Sequence, residues 1–82
     1  MNQHEDLETL VSHVLNIGFN DYGYFWIVVS ERTSGWRMEA MTPDAINSFP
    51  VFEGLAKFNP GRVYHRVMVN KDGTWKVVET IS

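Results

Sequence analysis

Histidine is the side chain that most readily supplies acid–base or metal chemistry near neutral pH, and the chain has three histidines. His4 and His13 lie nine positions apart in a predicted helix, which is more than two helical turns. No H-E-x-x-H or H-x-H pattern accompanies them, and no carboxylate stands at ligand spacing. We therefore expect no metal site and no cofactor, with both side chains facing solvent.

The third histidine, His65, belongs to a segment from Arg62 to Ile81 that predicts a complete β-hairpin. The loop at residues 70–74, Asn-Lys-Asp-Gly-Thr, fits a type I turn followed by a glycine with positive φ. A two-residue Asp-Gly turn would shift the pairing by one residue and divide the apolar side chains between both faces. The preferred register therefore has these cross-strand pairs: Val63–Ile81, His65–Glu79, Val67–Val77 and Val69–Trp75.

The predicted pairing of His65 with Glu79 is the acid–base pair that this register suggests. Such a pair could act as a pH-sensitive clasp, because histidine changes charge between about pH 5 and 8. A structural pair near the end of the sheet is the simpler interpretation, since ion pairs in a sheet often have no further function. The pH-sensitive pair is kept as a hypothesis.

Catalytic groups do not form a recognisable set. The chain has no cysteine, and none of its serines stands in a G-x-S-x-G or S-x-x-K pattern. The carboxylates are scattered; Asp72 is explained by a turn and Asp44 by a helix start. The glycines are too dispersed to form a phosphate-binding loop. We therefore expect a protein that is not an enzyme.

Aromatic, basic and methionine side chains on the predicted strands form a candidate interaction face. These residue types are enriched in protein interfaces. They also resemble the platforms that stack single-stranded nucleic acid, but a net charge of −3 and a pI near 5.4 disfavour that partner. In a third interpretation a helix covers the face and these residues are core. The candidate face comprises Trp36, Arg37, Met38, Tyr64, Arg66, Met68, Lys76 and Val78.

The first element that must position these residues is an amphipathic helix over residues 3–17. Asn2 is predicted to cap its start, Gly18 to end it, and Phe19 to pack back on it. Its apolar face follows the helical spacing i, i+3, i+4, i+7 and i+8. That face comprises Leu7, Leu10, Val11, Val14 and Leu15.

Strands are predicted at 24–31 and 36–41, the first of them central in the sheet because both of its sides are apolar. Thr42-Pro43-Asp44 predicts a helix start, with Thr42 as the N-cap and Pro43 as the first helical residue. Pro50 predicts an interruption, with helical pieces at 43–48 and 50–58. Asn59-Pro60-Gly61 then fits a type II turn.

Together these patterns predict one α+β domain over residues 1–82, with the order α-β-β-α-β-β. Two hairpins form a four-stranded, mainly antiparallel sheet, and the N-terminal helix packs on one face. The chain has 44% hydrophobic and 21% charged residues, which are ordinary globular values. The N-terminal acids, the lack of cysteine and an apolar run limited to residues 24–29 predict a cytoplasmic protein.

The predicted function is that of a small non-catalytic accessory protein that binds another protein as a modulator, inhibitor or adaptor. The alternative is a single-stranded nucleic-acid binding module. The last hairpin also offers a face and an edge for a homodimer. The rival to that interface is segment 42–60, which could fold over the same face with Phe49, Phe52, Leu55 and Phe58.

Overall fold

The computed structural model describes residues 3–4, 6–16, 23–33 and 35–82. Two helices and one antiparallel sheet confirm the α+β class and the two predicted hairpins. The sheet has the strand order β1-β3-β2-β4-β5. It includes one short strand more than predicted, since Gln3 and His4 pair with β3. The elements are β1 Gln3–His4, α1 Leu7–Asn16, β2 Tyr24–Arg32, β3 Gly35–Thr42, α2 Ala45–Phe58, β4 Tyr64–Asn70 and β5 Trp75–Ile81.

Strand β2 lies at the centre of the sheet, as its continuous apolar run predicts. Six successive residues, from Phe25 to Ser30, are buried. Ile27 and Val29 face α1, whereas Val28 faces α2, because successive side chains of a strand point to opposite faces. The two helices therefore cover opposite faces of the sheet. Both faces of β2 are core, which explains why the strand does not alternate between apolar and polar residues.

Helix α1 is shorter than predicted because Asp6, and not Asn2, caps it. Asp6 Oδ1 accepts a hydrogen bond from the Thr9 N–H at 2.7 Å, and this bond lowers the pKa of the Asp6 carboxyl. His4 consequently lies on β1 and not on the helix. Asn2, Gly18 and Phe19 lie outside the described residues. The predicted apolar face is confirmed: Leu7, Leu10, Val11 and Val14 are buried, and Leu15 packs against them.

Helix α2 runs without interruption from Ala45 to Phe58, so the predicted break at Pro50 is wrong. Asp44 is its N-cap in place of Thr42, and its Oδ1 accepts from the Asn47 N–H at 2.7 Å. A proline inside a helix costs about 3 kcal/mol. Burial of Phe52 against β2 and β4 offsets that cost, because tertiary packing overrides local propensity.

The two predicted turns of the second half are confirmed. Gly61 has φ +89°, and the Arg62 N–H donates to the Asn59 carbonyl at 3.2 Å, as in a type II turn. Gly73 has φ +95°, and its N–H donates to the Asn70 carbonyl at 3.0 Å. The three-residue loop of the last hairpin therefore has the predicted conformation.

The register of the last hairpin is right near the turn and wrong beyond it. Val69 lies opposite Trp75 and Val67 opposite Val77, as predicted. A β-bulge then inserts Val78 as an extra residue, so His65 pairs with Thr80 and not with Glu79. The predicted pairing of Val63 with Ile81 is wrong for the same reason. Beyond the bulge, Arg66 also pairs with Glu79 and Tyr64 with Ile81.

Among the helices of the described residues, none has the length and apolar character that a membrane crossing requires.

Candidate interaction surface

The predicted interaction face is divided between the two sides of the sheet. Trp36 and Met38 pack against the core under α1. The Trp36 ring centroid lies 5.1 Å from that of His65 on the same side. Arg37 lies between Trp36 and Met38 along β3, so strand alternation turns it to the opposite face. Trp36 and Met38 therefore do not extend the face that Tyr64 and Arg66 form on β4, whereas Arg37 lies on that face, because Ser30 pairs with both Arg37 and Tyr64.

Helix α2 covers much of the face that β4 offers, as the rival interpretation predicted. Tyr64 is 1% exposed and packs with Val28 and the buried Phe52. The Tyr64 hydroxyl has a raised pKa because it is buried and because the Glu39 carboxylate lies nearby. Tyr64 is thus part of the core and is removed from the candidate interface.

Arg66 is held by aromatic rings and a carboxylate on the same face. Its guanidinium lies 5.0 Å from the centroid of the Trp26 ring and 5.3 Å from that of Phe49. Arg66 also forms an ion pair of 3.0 Å with Glu79, its partner across the hairpin. Cation–π contacts of this kind stabilise by about 0.5–2 kcal/mol, depending on desolvation. The arginine therefore links α2, β2 and β5, which is a structural role.

Ser30, Arg32 and Glu39 form a part-buried polar cluster near one end of the sheet. The Ser30 hydroxyl donates to Glu39 Oε2 at 2.6 Å and accepts from Arg32 Nε at 2.9 Å. Arg32 also binds the same carboxylate oxygen at 2.7 Å. Burial raises the pKa of Glu39, but the hydrogen bonds from Ser30 and Arg32 outweigh it and leave that pKa below its ordinary value. The cluster ties β2 to β3.

His65 is held on the opposite face by two neighbours that the predicted register did not place beside it. Its Nδ1 lies 2.7 Å from the Thr80 hydroxyl, and its Nε2 lies 2.9 Å from Glu31 Oε2. The acid beside the histidine is therefore Glu31 of β2 and not Glu79. Sequence reasoning missed Glu31 because its approach depends on which hairpins adjoin in the sheet. Within the described ranges, no group of three His, Asp or Glu residues could hold a metal ion.

The most exposed of the large apolar side chains lie on the outer side of α2. Ile46 and Phe58 are each 82% exposed, although both are large apolar residues. Pro50 and Gly54 lie between them at intervals of four residues, so the four form one ridge along the helix. We call Ile46, Pro50, Gly54 and Phe58 the α2 stripe.

The centre of the α2 stripe is lower than its ends. Gly54 has no side chain, and a Cβ placed there would meet no atom within 4 Å. A groove of about 630 Å³ passes Pro50 and Gly54 and is also lined by Glu53, Ala56, Lys57 and Ile81. Two large apolar side chains on either side of a low centre match the shape in which helices pack ridge into groove. The sequence signal was present as the spacing 46, 50, 54 and 58, but the predicted break at Pro50 concealed it.

The second exposed apolar group lies on β5, at the edge of the sheet. Trp75 and Val77 are each 37% exposed, and Val78 is 43% exposed. Of the predicted interaction residues, Lys76 and Val78 lie on this strand and are exposed, and Arg37 on β3 is exposed as well. No protein-family model, curated protein or solved structure gives a significant match to this chain.

Proposed function

We propose that this chain is a non-catalytic accessory protein that binds another protein through the α2 stripe. The observation that carries the proposal is the pair Ile46 and Phe58, which place two large apolar side chains in water at opposite ends of one ridge. A helix exposes its apolar residues in this way when a partner covers them. The stripe spans about 18 Å, which matches the face of a partner helix of three to four turns.

Two charged side chains of opposite sign along the groove add specificity to this surface. Glu53 and Lys57 line the groove, are exposed and lie one helical turn apart. An amphipathic partner helix can place its apolar side chains over Gly54 and its polar ones beside these two charges. Modulation, inhibition and adaptor roles all fit a surface of this kind.

The alternative of single-stranded nucleic-acid binding receives less support from the structure. It needs an open sheet face with accessible aromatic side chains. Tyr64 is buried, Trp36 packs against the α1 core, and Arg66 already contacts two rings and a carboxylate. A protein partner is therefore the better-supported proposal.

The test compares affinity purification from native cells for the wild-type chain and for an Ile46→Glu/Phe58→Glu double variant. A Ser12→Glu/Thr33→Glu variant is the matched control, because it adds the same two charges at exposed positions outside the stripe. We expect mass spectrometry to find a protein retained by the wild type and the control but lost by the stripe variant. Retention of the same proteins by all three would refute the proposal. Calorimetry with the purified partner would then measure the affinity.

A further inference from the structure

Strand β5 is an edge strand of the sheet. β5 is the last strand in the order β1-β3-β2-β4-β5, and it pairs with β4 on one side. Among the described residues, no strand pairs with its other side. An edge of seven residues is long for an uncovered strand, because unpaired backbone groups act as a template for another strand.

The alternation along β4 identifies the backbone groups that point to this edge. The Asn70 N–H donates to the Thr74 carbonyl at 2.8 Å, so even-numbered residues of β4 direct their backbone groups toward β5. The odd-numbered residues Val69, Val67 and His65 direct their backbone groups toward β2. The β5 residues paired with them therefore direct their N–H and C=O groups toward the open edge, and these residues are Trp75, Val77 and Thr80.

The bulge at Val78 makes the edge complementary to itself. Lys76 lies opposite Met68, and Glu79 lies opposite Arg66. Met68 and Arg66 are two residues apart on a regular strand and share a face, so Lys76 and Glu79 also share one. Without the extra residue, two positions three apart on a strand would point to opposite faces. The same argument places Trp75 and Thr80 together on the other face.

We infer that a second copy of this chain adds to β5 in antiparallel orientation, about a two-fold axis between Val77 and Val78. Each Lys76 then faces Glu79 of the second copy, and each Trp75 faces Thr80 of the second copy. In each of these two pairs, both side chains lie on the same face of the sheet. The Trp75–Thr80 pair also brings together backbone N–H and C=O groups that point toward the open edge of each chain. The two five-stranded sheets become continuous.

Charge complementarity favours a second copy over an unrelated strand. Within the described part of the chain, Lys76 has no ion-pair partner of its own, whereas the Glu79 carboxylate bonds Arg66 and remains 39% exposed. In the symmetric pairing that carboxylate lies between two cations, and the arrangement occurs twice. Val77 and Val78, both exposed in the isolated chain, are buried around the axis. The edge is separate from the α2 stripe, so this inference does not depend on the proposed function.

Sedimentation equilibrium at micromolar concentration tests the dimer directly. We expect the wild-type chain to sediment with twice the monomer mass of 9.5 kDa. Val77→Pro removes an N–H that points outward and no hydrogen bond to β4, so it should fold and sediment as a monomer. Val77→Thr, which keeps that N–H, is its matched control and should remain dimeric. Lys76→Glu should raise the dimer dissociation constant about tenfold, since two attractive pairs become repulsive.

A cysteine experiment tests the register and does not depend on how Val77→Pro folds. The chain has no cysteine, so single variants carry one reactive thiol each. A mixture of Lys76→Cys and Glu79→Cys chains should form a disulfide-linked dimer on mild oxidation, because directly opposed residues have Cα atoms about 4.5–5.5 Å apart. A mixture of Thr33→Cys and Glu79→Cys chains is the control. A monomeric wild type, a dimer that survives Val77→Pro, or equal cross-linking in both mixtures would overturn the inference.

Discussion

Phe52 and Phe58 provide a matched test of which side of α2 is core and which side is available to a partner. Both are phenylalanines of the same helix, but Phe52 is 0% exposed and Phe58 is 82% exposed. Replacement of each by alanine removes the same atoms. Any difference in the free energy of unfolding therefore reports the environment of the ring.

The expected magnitudes differ widely. Truncation of a buried phenylalanine costs about 3–5 kcal/mol, the sum of lost transfer free energy and a residual cavity. A domain of this size has a total stability of about 4–12 kcal/mol, so Phe52→Ala removes about a quarter of it or more. The corresponding fall in melting temperature is about 12–40 °C. Phe58→Ala should change stability by less than about 0.5 kcal/mol, because its ring is already in water.

Urea unfolding followed by circular dichroism measures both variants. If Phe52→Ala is too unstable to give a folded baseline, Phe52→Leu keeps most of the volume and should cost roughly 1 kcal/mol. Equal losses for Phe52→Ala and Phe58→Ala, or a larger loss for Phe58→Ala, would mean that the packing of α2 is not as described. Binding to the partner should show the opposite order, with Phe58→Ala weakening the complex while the fold is retained.

Three further predictions concern the turn, the first helix and the polar cluster. Gly73→Val should lower the free energy of unfolding, measured with urea, by about 1–2 kcal/mol, because φ at this position is +95° and a β-branched residue resists positive φ. Gly73→Asn should lower it less, because asparagine tolerates positive φ better. Leu10→Ala should cost about 2–5 kcal/mol since Leu10 is fully buried, and an unchanged melting temperature would contradict the docking of α1. The pKa of Glu39 is lowered in the folded chain, so its contribution to stability is complete above its ordinary value of 4.5 and is lost as pH falls through the lower folded value. In the Glu39→Gln variant the free energy of unfolding should therefore fall less steeply with decreasing pH below 4.5 than in the wild type. The same pH dependence in both proteins would argue against the ion pair.

The parts of the fold that were predictable are those with local signals. The spacing of Leu7, Leu10 and Val14 identified α1, and the continuous apolar run identified β2 as central. The loop ending at Gly73 gave the correct hairpin turn because a glycine with positive φ has few alternatives. In each case the residues that carry the signal lie within a few positions of each other.

The errors arose where distant contacts outweigh local preference. Pro50 predicts a helix break, but Phe52 lies two residues later and is buried on the sheet, so the helix continues. The partner of His65 depends on the position of Glu31, which is set by the pairing of β2 with β4. The candidate face was predicted as one surface, but Trp36 and Met38 pack under α1 whereas α2 covers Tyr64 on the other face. None of these contacts leaves a pattern in a short window of sequence.

The bulge at Val78 links the main error in the predicted register to the inferred dimer. Regular pairing from the Gly73 turn would place His65 beside Glu79 and leave Lys76 and Glu79 on opposite faces. The extra residue instead gives Glu79 to Arg66 and turns it to the face that carries Lys76. A bulge also increases local twist, which normally protects an edge from pairing. Here the same insertion places Lys76 and Glu79 on one face, so a second copy in antiparallel orientation can set each Lys76 opposite a Glu79. This charge match is the reason for which we infer that the β5 edge pairs with a second copy and not with an unrelated strand.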